Sequence, residues 1–546
     1  MGTEVFRKDE IPSITQQHSR LQTEIFDLLV IGGGATGAGI ALDAVSRGLS
    51  VALVEADDFS SGTSSRSTKL IHGGVRYLEK AVMQFDRGQY HLVREALHER
   101  KCLLNIAPHL NTVLPILTPL YSWYQLPYYW AGLKVYDWIS GGSSLRKSEF
   151  LTKKKTVQAF PGINQKGLIG SVLYYDGQFN DSRMNLSIAL TAAQYGAAIS
   201  NHLKVQKLLK DKKNVCGVRV VDTIDRKIFE IRSHSIINAT GPFSDVIRQM
   251  DNPLASSLVA PSLGVHVVLD GDFCCGTGML IPETDDGRVL FLLPWEGKTL
   301  AGTTDTSCTL NESMTPKKTD VEYILRHLNT YLNTSLCMND VQASWSGLRP
   351  LVNSNKYNDT KSLSRDHFIE TSESGLISIT GGKWTTYRKM AEDAVNTVMK
   401  QQKKPFVSTL TENISLIGAE NYEFSLSKKL ATLQGIDEDI ACHLAHNYGD
   451  RSWIICSLME QGYGTRLAPG YCFTEAEALY GIRYEYARTP ADLLGRRMRL
   501  AFLDHSAAEE AAPRVLELLK QEFQWNSSKL ATEEQSTLDF LLSMHC

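Results

Sequence analysis

A glycine turn between a strand and a helix is the feature that most constrains this chain. The apolar run 25–31 reads as a buried strand, and Gly32-x-Gly34-x-x-Gly37 follows it directly. A helical pattern comes next, and residues 51–55 form a second strand. A strand–helix–strand unit of this kind starts a parallel sheet. The sequence therefore predicts an α/β fold that begins with a Rossmann-like domain.

Each glycine of the turn has a physical role. Gly32 permits the tight turn, Gly34 lets a pyrophosphate approach the backbone, and Gly37 lets helix and strand pack closely. The N-terminus of the helix supplies oriented N–H groups to the phosphates. Glu55 ends the second strand, where its carboxylate is placed to accept hydrogen bonds from a ribose hydroxyl. The alternative is a chance glycine turn, and we predict a dinucleotide site at Gly32, Gly34, Gly37 and Glu55.

Two later glycine segments favour FAD over a nicotinamide dinucleotide. The sequence Asn-Ala-Thr-Gly at residues 238–241 follows one predicted strand, and Gly-Gly-Lys at residues 381–383 follows another. A chain that binds FAD with an N-terminal turn returns to the flavin from distant segments, and glycine allows the backbone to come close. We therefore predict cofactor contacts at Thr240, Gly241, Gly381 and Gly382.

Charge and cysteine usage exclude some classes of function. The 546 residues contain 57 Lys plus Arg against 60 Asp plus Glu, a net charge of −3, which argues against nucleic acid as the main partner. The ten cysteines have no C-x-x-C spacing, and no cluster of cysteines and histidines along the sequence resembles a zinc site. We expect free thiols in a reducing compartment and no metal site.

The N-terminal segment and an aromatic segment bear on membrane association. Residues 1–23 read as a loose polar leader, whose acidic residues do not fit a mitochondrial presequence. The uncharged run 110–133 contains three prolines, which argue against a membrane-spanning helix. Eight Trp and Tyr residues crowd the region 121–138. This cluster either packs against the core or contacts a membrane surface, and both interpretations stay open here.

Several longer motifs resemble FAD-dependent glycerol-3-phosphate dehydrogenases of the mitochondrial type. The matching blocks are residues 27–55, 62–78, 95–100, 302–305, 346–350, 381–388, 475–477 and 496–503. The resemblance spans roughly residues 24–525. Animal mitochondrial members carry C-terminal EF-hands, whereas this sequence ends at Cys546 without them, so calcium activation is not expected.

The resemblance implies a fold of the D-amino-acid-oxidase type. It consists of a Rossmann-like FAD-binding domain with an inserted β-rich substrate domain, followed by a helical C-terminal domain. We expect an oxidoreductase core over residues 24–395, a linker over 396–424 and the helical domain over 425–530. Within the core, the FAD-binding segments are about 24–110, 200–250 and 345–395. The substrate domain takes about 111–200 and 255–345.

The same resemblance implies the reaction and its partners. Such enzymes oxidise sn-glycerol 3-phosphate to dihydroxyacetone phosphate with FAD, and pass the electrons to ubiquinone at the surface of the inner mitochondrial membrane. An oxidase that reduces O₂ to hydrogen peroxide is the alternative function. A flavin-binding protein without turnover is a third interpretation. A homodimer is left open.

Substrate chemistry selects the candidate residues. A phosphate dianion is held by Arg forks or Lys point charges, and Arg76, Arg349 and Lys383 lie in glycine-flanked loops of the family motifs. Tyr77 could touch the substrate or pack in the core. His72 is the candidate proton acceptor, with an alternative role in binding the flavin. Arg349 could instead assist by stabilising the alkoxide.

Further cofactor contacts are expected from small hydroxyls and backbone groups near these motifs. The predicted contacts are Thr63, Ser64, Ser65, Lys69, Leu70, His72, Asp305 and Lys383. For Asp305 a helix-capping role is the alternative.

Overall fold

The computed structural model describes residues 11–73, 87–141, 145–282, 284–310, 314–352 and 367–545. Its helices are α1 Ile14–Thr23, α2 Ala35–Ser46, α3 Arg87–Ile106, α4 Gln125–Ser140, α5 Lys153–Ala159, α6 Asp181–Gln194, α7 Ser244–Asp251, α8 Lys318–Tyr331, α9 Tyr387–Gln401, α10 Leu426–Gln434, α11 Glu438–Tyr448, α12 Ser452–Leu458, α13 Glu475–Tyr484, α14 Leu500–Leu503, α15 His505–Phe523 and α16 Ser527–Leu542. Short helical turns lie at Thr63–Ser65, Gly241–Phe243, Met338–Asp340, Trp384–Thr386, Gly449–Arg451, Met459–Tyr463 and Asp492–Arg497.

The strands form two sheets. They are β1 Ile25–Ile31, β2 Val51–Val54, β3 Leu70–Ile71, β4 Asn111–Leu120, β5 Glu149–Thr152, β6 Gly170–Phe179, β7 Ala198–Ser200, β8 Leu203–Asp211, β9 Asn214–Asp222, β10 Ile228–Asn238, β11 Val259–Leu269, β12 Gly278–Ile281, β13 Leu290–Trp295, β14 Lys298–Gly302, β15 Thr306–Ser307, β16 Val341–Val352, β17 His367–Thr371 and β18 Ile377–Gly381.

The first sheet is the predicted Rossmann-like sheet. Its order is β17-β18-β10-β1-β2-β7, with β9 and β8 continuing from β10. The pairs β1–β2, β1–β10, β10–β18 and β2–β7 are parallel, and β17 closes one edge antiparallel to β18. Because β1, β10 and β18 run in the same direction, their carboxyl ends lie along one edge, where the predicted glycine segments begin.

The second sheet is mostly antiparallel and carries the other half of the molecule. Its order is β15-β11-β14-β13-β12-β4-β6-β3, with β16 on β11 and β5 on β6. Helices α10 to α15 bury one face of this sheet in a shared apolar core, in which Trp345 and Val268 of the sheet lie with Leu444 and Phe502 of the helices. The predicted C-terminal helical region is thus a cover over this sheet.

The predicted loose leader is wrong for its described part. Residues Ile14–Thr23 are a helix that starts with a capping box between Ser13 and Gln16. Gln17 and Leu21 are its buried positions. Two buried residues one turn apart are too sparse a pattern to predict a helix. Packing of α1 against β7 and β10 stabilises the helix instead.

Buried charges join the C-terminal helices to the first sheet. Arg496 and Arg497 donate to the carboxylate of Asp58, and Arg499 donates to the carbonyl oxygen of Ser65. His202 lies 2.9 Å from Asp492. The arginines of the run 496–499 are therefore buried and paired between regions of the molecule. Throughout the described residues the cysteines are free, as expected.

Candidate active site

The glycine turn has the geometry that a dinucleotide requires. Gly32 has a φ of +107°, and a Cβ there would lie 2.7 Å from the carbonyl oxygen of Ala239. A Cβ on Gly37 would lie 1.8 Å from the carbonyl oxygen of Gly32. Helix α2 begins next, and its N-cap Gly34 carries no side chain that could block the N–H groups. The turn therefore leaves an open helix N-terminus for an anion.

Glu55 lies beside the glycine turn and is hydrogen-bonded to it. Its carboxylate accepts the N–H of Gly33 at 2.5 Å and the N–H of Asp57 at 3.0 Å. Burial raises the pKa of Glu55 to about 7, although both N–H groups act in the opposite direction. The carboxylate thus lies beside the turn, as the strand position predicts. Its bond to a ribose hydroxyl stays a prediction.

The loop 62–68 joins the turn to the second sheet. Ser64 Oγ accepts the N–H of Ala35 at 2.9 Å, and the Ser64 carbonyl accepts the indole N–H of Trp384 at 2.9 Å. Thr63 Oγ1 donates to the carbonyl of Leu348 at 2.5 Å. Motifs that are far apart in the sequence therefore meet around Thr63 and Ser64.

The guanidinium of Arg349 lies at this junction. Its Nη1 donates to Asp305 Oδ1 at 3.0 Å, and its Nη2 donates to Thr303 Oγ1 and to the Thr304 carbonyl, each at 3.0 Å. A Cβ on Gly264 would lie 2.3 Å from Nη2, so the glycine lets the guanidinium lie against β11. The side chain keeps 29% of its surface exposed. Asp305 thus orients Arg349, and its predicted contact with the cofactor stays a prediction.

His266 lies beside Arg349 and was missed by the sequence reasoning. Its Nε2 is 2.9 Å from Thr68 Oγ1, and its ring stacks on Trp345 with centroids 5.6 Å apart. Burial, and then the cations of Lys69 and Arg349, hold the pKa of His266 well below its usual value, so the imidazole is neutral near pH 7. Its one signal in the sequence is a histidine within an otherwise apolar strand next to Gly264.

Lys69 is enclosed in protein. Its Nζ donates to Asp181 at 2.7 Å and to the Ser65 carbonyl at 2.9 Å, and it lies 5.3 Å from the ring centre of Trp345. Its backbone N–H donates to Ser67 Oγ. Burial lowers the pKa of Lys69 to about 7, against the attraction of Asp181. The structure thus gives Lys69 an internal ion pair, which no sequence pattern indicated, and its flavin contact stays a prediction.

The remaining predicted residues lie at the ends of strands of the two sheets, in the loop before β3, or outside the described residues. Thr240 and Gly241 follow β10, and Thr240 Cα is 3.1 Å from the position of a Cβ on Gly32. Gly381, with a φ of +82°, ends β18, and Gly382, with a φ of +67°, follows it. The other placements are Ser65 and Leu70, both buried, and His72 and Lys383, both half-buried at the ends of β3 and β18. Arg76 and Tyr77 lie outside the described residues.

Comparisons with known proteins agree with this geometry. The family model described as FAD dependent oxidoreductase matches residues 27–388, and the model described as C-terminal domain of alpha-glycerophosphate oxidase matches residues 409–530. The mitochondrial glycerol-3-phosphate dehydrogenase of Bos taurus is 48% identical over 95% of this chain and 73% of its own length. The mitochondrial enzyme SDP6 of Arabidopsis thaliana is 44% identical over 97% of this chain and 89% of its own length.

Solved structures give the same fold. The glycerol-3-phosphate dehydrogenase of Bacillus halodurans, solved with FAD, matches with a TM-score of 0.80 and 30% identity over 97% of both chains. The L-alpha-glycerophosphate oxidase of Mycoplasma pneumoniae matches with a TM-score of 0.54 and 18% identity, over 69% of this chain and 95% of its own. The second likeness shows the fold alone.

Proposed function

Because this chain belongs to the family of FAD-dependent glycerol-3-phosphate dehydrogenases, we propose that it oxidises sn-glycerol 3-phosphate to dihydroxyacetone phosphate and passes the electrons to ubiquinone at a membrane surface. The predicted family and the FAD-binding oxidoreductase fold are confirmed by the comparisons. The observation that best supports this substrate assignment is the partly exposed guanidinium of Arg349, at the junction of the two sheets. Such a fork suits a phosphate dianion.

The described residues fit FAD. Side chains at Gly32 and Gly37 would collide with neighbouring backbone, so this turn keeps the glycines that a pyrophosphate needs. Glu55 lies where an adenosine ribose is held in this fold type, and Gly381 and Gly382 supply close backbone further along the sheet edge. When bound, FAD accepts a hydride from the substrate carbon. The predicted cofactor residues remain proposals at this level of detail.

Arg349 is proposed to hold and orient the substrate. Asp305 and Thr303 fix two edges of its guanidinium, which lowers the rotational freedom that the side chain loses on binding a ligand. A substrate phosphate or a developing alkoxide would meet a pre-positioned positive charge. Lys383 and Arg76 are proposed as further phosphate contacts, on the basis of their motifs.

Removal of the hydroxyl proton requires a base, and an imidazole acts as one only in its neutral form. His72, half-buried after β3, is the proposed acceptor. His266 is a second imidazole at the junction, and the burial that lowers its pKa keeps it neutral and able to accept a hydrogen bond. A neutral imidazole beside Arg349 also avoids repulsion between two cations. We propose that His72 takes the proton and that His266 helps to position the substrate.

Anaerobic reduction tests the activity directly. Addition of sn-glycerol 3-phosphate to the purified yellow protein should bleach the flavin absorbance, whereas glycerol should not. A flavin that stays oxidised with the phosphorylated substrate would overturn the proposal and favour a flavin-binding protein without turnover.

The electron acceptor is tested separately. The bleached enzyme should be reoxidised rapidly by a short-chain ubiquinone and slowly by air. Hydrogen peroxide released in stoichiometry with substrate, without an added acceptor, would favour the oxidase instead. The similarity to the Mycoplasma oxidase is 18% in sequence, so it supports the shared fold and gives no support to that acceptor.

Replacement of Arg349 tests the phosphate clamp. Arg349→Ala should lower kcat/KM roughly 30- to 1000-fold, because a charged partner of the substrate is lost. This corresponds to a loss of about 2–4 kcal/mol in transition-state stabilisation. Arg326→Ala is the matched control, since Arg326, on α8, forms an exposed ion pair with Asp285. Equal kinetics for the two variants would remove Arg349 from the site.

An exposed aromatic surface supports membrane contact. Trp123 is 71% exposed and Tyr124 79%, and both precede α4, where Trp130 is 37% exposed under the ammonium of Lys134. Tyr129 of the same cluster instead packs against the helical core, as the core interpretation expects. No described helix has both the length and the apolar content to span a bilayer. We propose that Trp123, Tyr124 and Trp130 enter the lipid headgroup layer.

Liposome sedimentation tests this surface. Replacing Trp123, Tyr124 and Trp130 with Ser should release the enzyme from vesicles of mitochondrial lipid composition while substrate bleaching continues. Unchanged sedimentation would contradict the docking role. The mitochondrial names of the relatives support a mitochondrial location, and association with the inner membrane belongs to this proposal. Homodimer formation stays a prediction.

A further inference from the structure

Three side chains of different chemistry meet on helix α3, in a cluster to which the proposed activity assigns no role. His98 and Cys102 lie one turn apart on α3, and Glu412 lies in the loop between α9 and α10. His98 Nε2 is 3.6 Å from Cys102 Sγ and 3.3 Å from Glu412 Oε1. We propose that His98, Cys102 and Glu412 bind a zinc ion.

The ligand types favour zinc over the hard divalent cations. An imidazole nitrogen, a thiolate and a carboxylate oxygen are the ligands that Zn²⁺ takes in proteins. Calcium and magnesium prefer oxygen ligands and would gain little from Cys102 or His98. The candidate ligand atoms all lie within 4.8 Å of one another.

The spacing between the ligand atoms fits a tetrahedral ion. Zinc bonds of about 2.0–2.1 Å to nitrogen or oxygen and about 2.3 Å to sulfur place a nitrogen and a sulfur about 3.6 Å apart. The same bonds place a nitrogen and an oxygen about 3.3 Å apart. The structure has 3.6 Å between His98 and Cys102, and 3.3 Å between His98 and Glu412. The third distance, between Cys102 and Glu412, is at most 4.8 Å, and a rotation of the half-exposed Glu412 carboxylate would bring it to the roughly 3.6 Å that the ion requires.

A single nitrogen of His98 cannot serve both of its neighbours as a hydrogen-bond partner. Both Cys102 and Glu412 approach the same nitrogen, Nε2 of His98. If Nε2 carries a proton, it donates to Glu412 and offers no lone pair to the thiol. If it carries a lone pair, it accepts from Cys102, and Glu412 then keeps only the longer contact with Arg388, at 3.3 Å, among the described side chains. A cation between the three atoms uses the lone pairs of all of them at once.

The local charge also favours a cation. Arg388 Nη2 lies 3.3 Å from Glu412, but the same guanidinium is held by Glu99 at 2.6 Å and reaches Glu392 at 3.2 Å. Three carboxylates thus surround one guanidinium, and Lys101 is the other cation that acts on Cys102. A thiolate at Cys102 would add a further negative charge for the ion to neutralise.

The cluster is open to the ion from solvent. The side chains of His98 and Glu412 are 50% and 40% exposed, whereas Cys102 is buried on the protein side. A water can therefore complete a fourth position. The ion would tie α3 to the loop that leads into the C-terminal helices. This site escapes a search for sequence motifs, because its third ligand comes from a distant part of the chain.

The zinc content of the purified enzyme tests the site. The FAD-loaded enzyme is treated with a chelator and dialysed against buffered zinc, and the zinc bound per chain is measured by elemental mass spectrometry. We expect one equivalent of zinc, and at least about tenfold weaker binding after Cys102→Ser or His98→Gln. X-ray absorption should show one sulfur at about 2.3 Å from the zinc.

A second Cys–His pair of the chain is the matched control. Cys442 Sγ lies 3.5 Å from His446 Nδ1, also one turn apart on a helix, and among the described residues no third ligand completes this pair. Cys442→Ser should leave zinc binding unchanged. Glu412→Gln, at a partly exposed side chain, gives a third variant if Cys102→Ser does not fold. Equal binding by Cys102→Ser and the unchanged chain, or a zinc ion without sulfur, would overturn the proposal.

Discussion

The carboxylate of Asp58 is expected to be a major link between the first sheet and the C-terminal helices. It is fully buried in the turn after β2. It accepts from Arg496 Nε at 2.8 Å and from Arg497 at 2.5 and 2.9 Å. Asn201 Nδ2 donates to the same carboxylate at 2.8 Å. Asp58→Asn keeps the shape of the side chain and removes the charge.

The size of the effect follows from the partners that remain. Removing one member of a buried ion pair costs about 3–5 kcal/mol, since the other charge is left uncompensated. Here Arg496 keeps a bond to Asp492 at 2.8 Å, and Arg497 keeps the carbonyl of Glu485 at 2.6 Å. The new amide also turns N–H groups toward guanidinium donors. We therefore expect a loss of about 3 kcal/mol in the free energy of unfolding, at the lower end of that range.

Urea unfolding of the FAD-loaded enzyme, followed by circular dichroism and by flavin release, measures this loss. Asp437→Asn is the matched control, because Asp437 is 69% exposed and pairs with Arg466 at the surface. That variant should lose less than about 1 kcal/mol. Equal shifts for Asp58→Asn and Asp437→Asn would refute the reasoning that burial makes the Asp58 pair costly to break.

Two further predictions concern the cofactor turn and the pH dependence of stability. Gly37→Ala should abolish FAD binding, measured by flavin fluorescence titration, because the new Cβ would lie 1.8 Å from the Gly32 carbonyl; Gly62→Ala, with nothing within 4 Å, should retain the flavin. Burial, and then the nearby Arg183, lowers the pKa of His109 to about 3, below the unfolded value of about 6.5. Its contribution to stability is therefore full above pH 6.5 and is lost as the pH falls toward 3. Between pH 7 and 5 we expect about 2 kcal/mol of this loss in urea unfolding, and His109→Gln should remove that part of the slope.

The sequence by itself determined the elements whose cause is local. The turn at Gly32 and Gly37, the strands around it and the helix α2 follow from patterns within one or two neighbouring segments. The backbone geometry at a glycine and an apolar run of strand length can both be predicted without knowing any tertiary contact. The resemblance extended this to the FAD-binding fold and the family, because its motifs are long and specific.

Side-chain partnerships were decided by the tertiary structure. The sequence offered Lys69 as a cofactor contact, and the fold encloses its ammonium with Asp181 and two tryptophans. It offered Asp305 as a cofactor contact or a helix cap, and the fold places it against Arg349. His266 carried no recognisable motif, and its environment exists only where β11, β16 and the loop 62–68 meet.

The physical reason is the difference between conformation and partnership. A residue's backbone preference and its apolar period act within a few positions, so they can be read along the chain. The charge state and role of a buried side chain depend on which groups surround it after folding. Arg497 shows this most directly, since an arginine in a basic run of the sequence becomes, through Asp58, a fully buried link between two parts of the molecule.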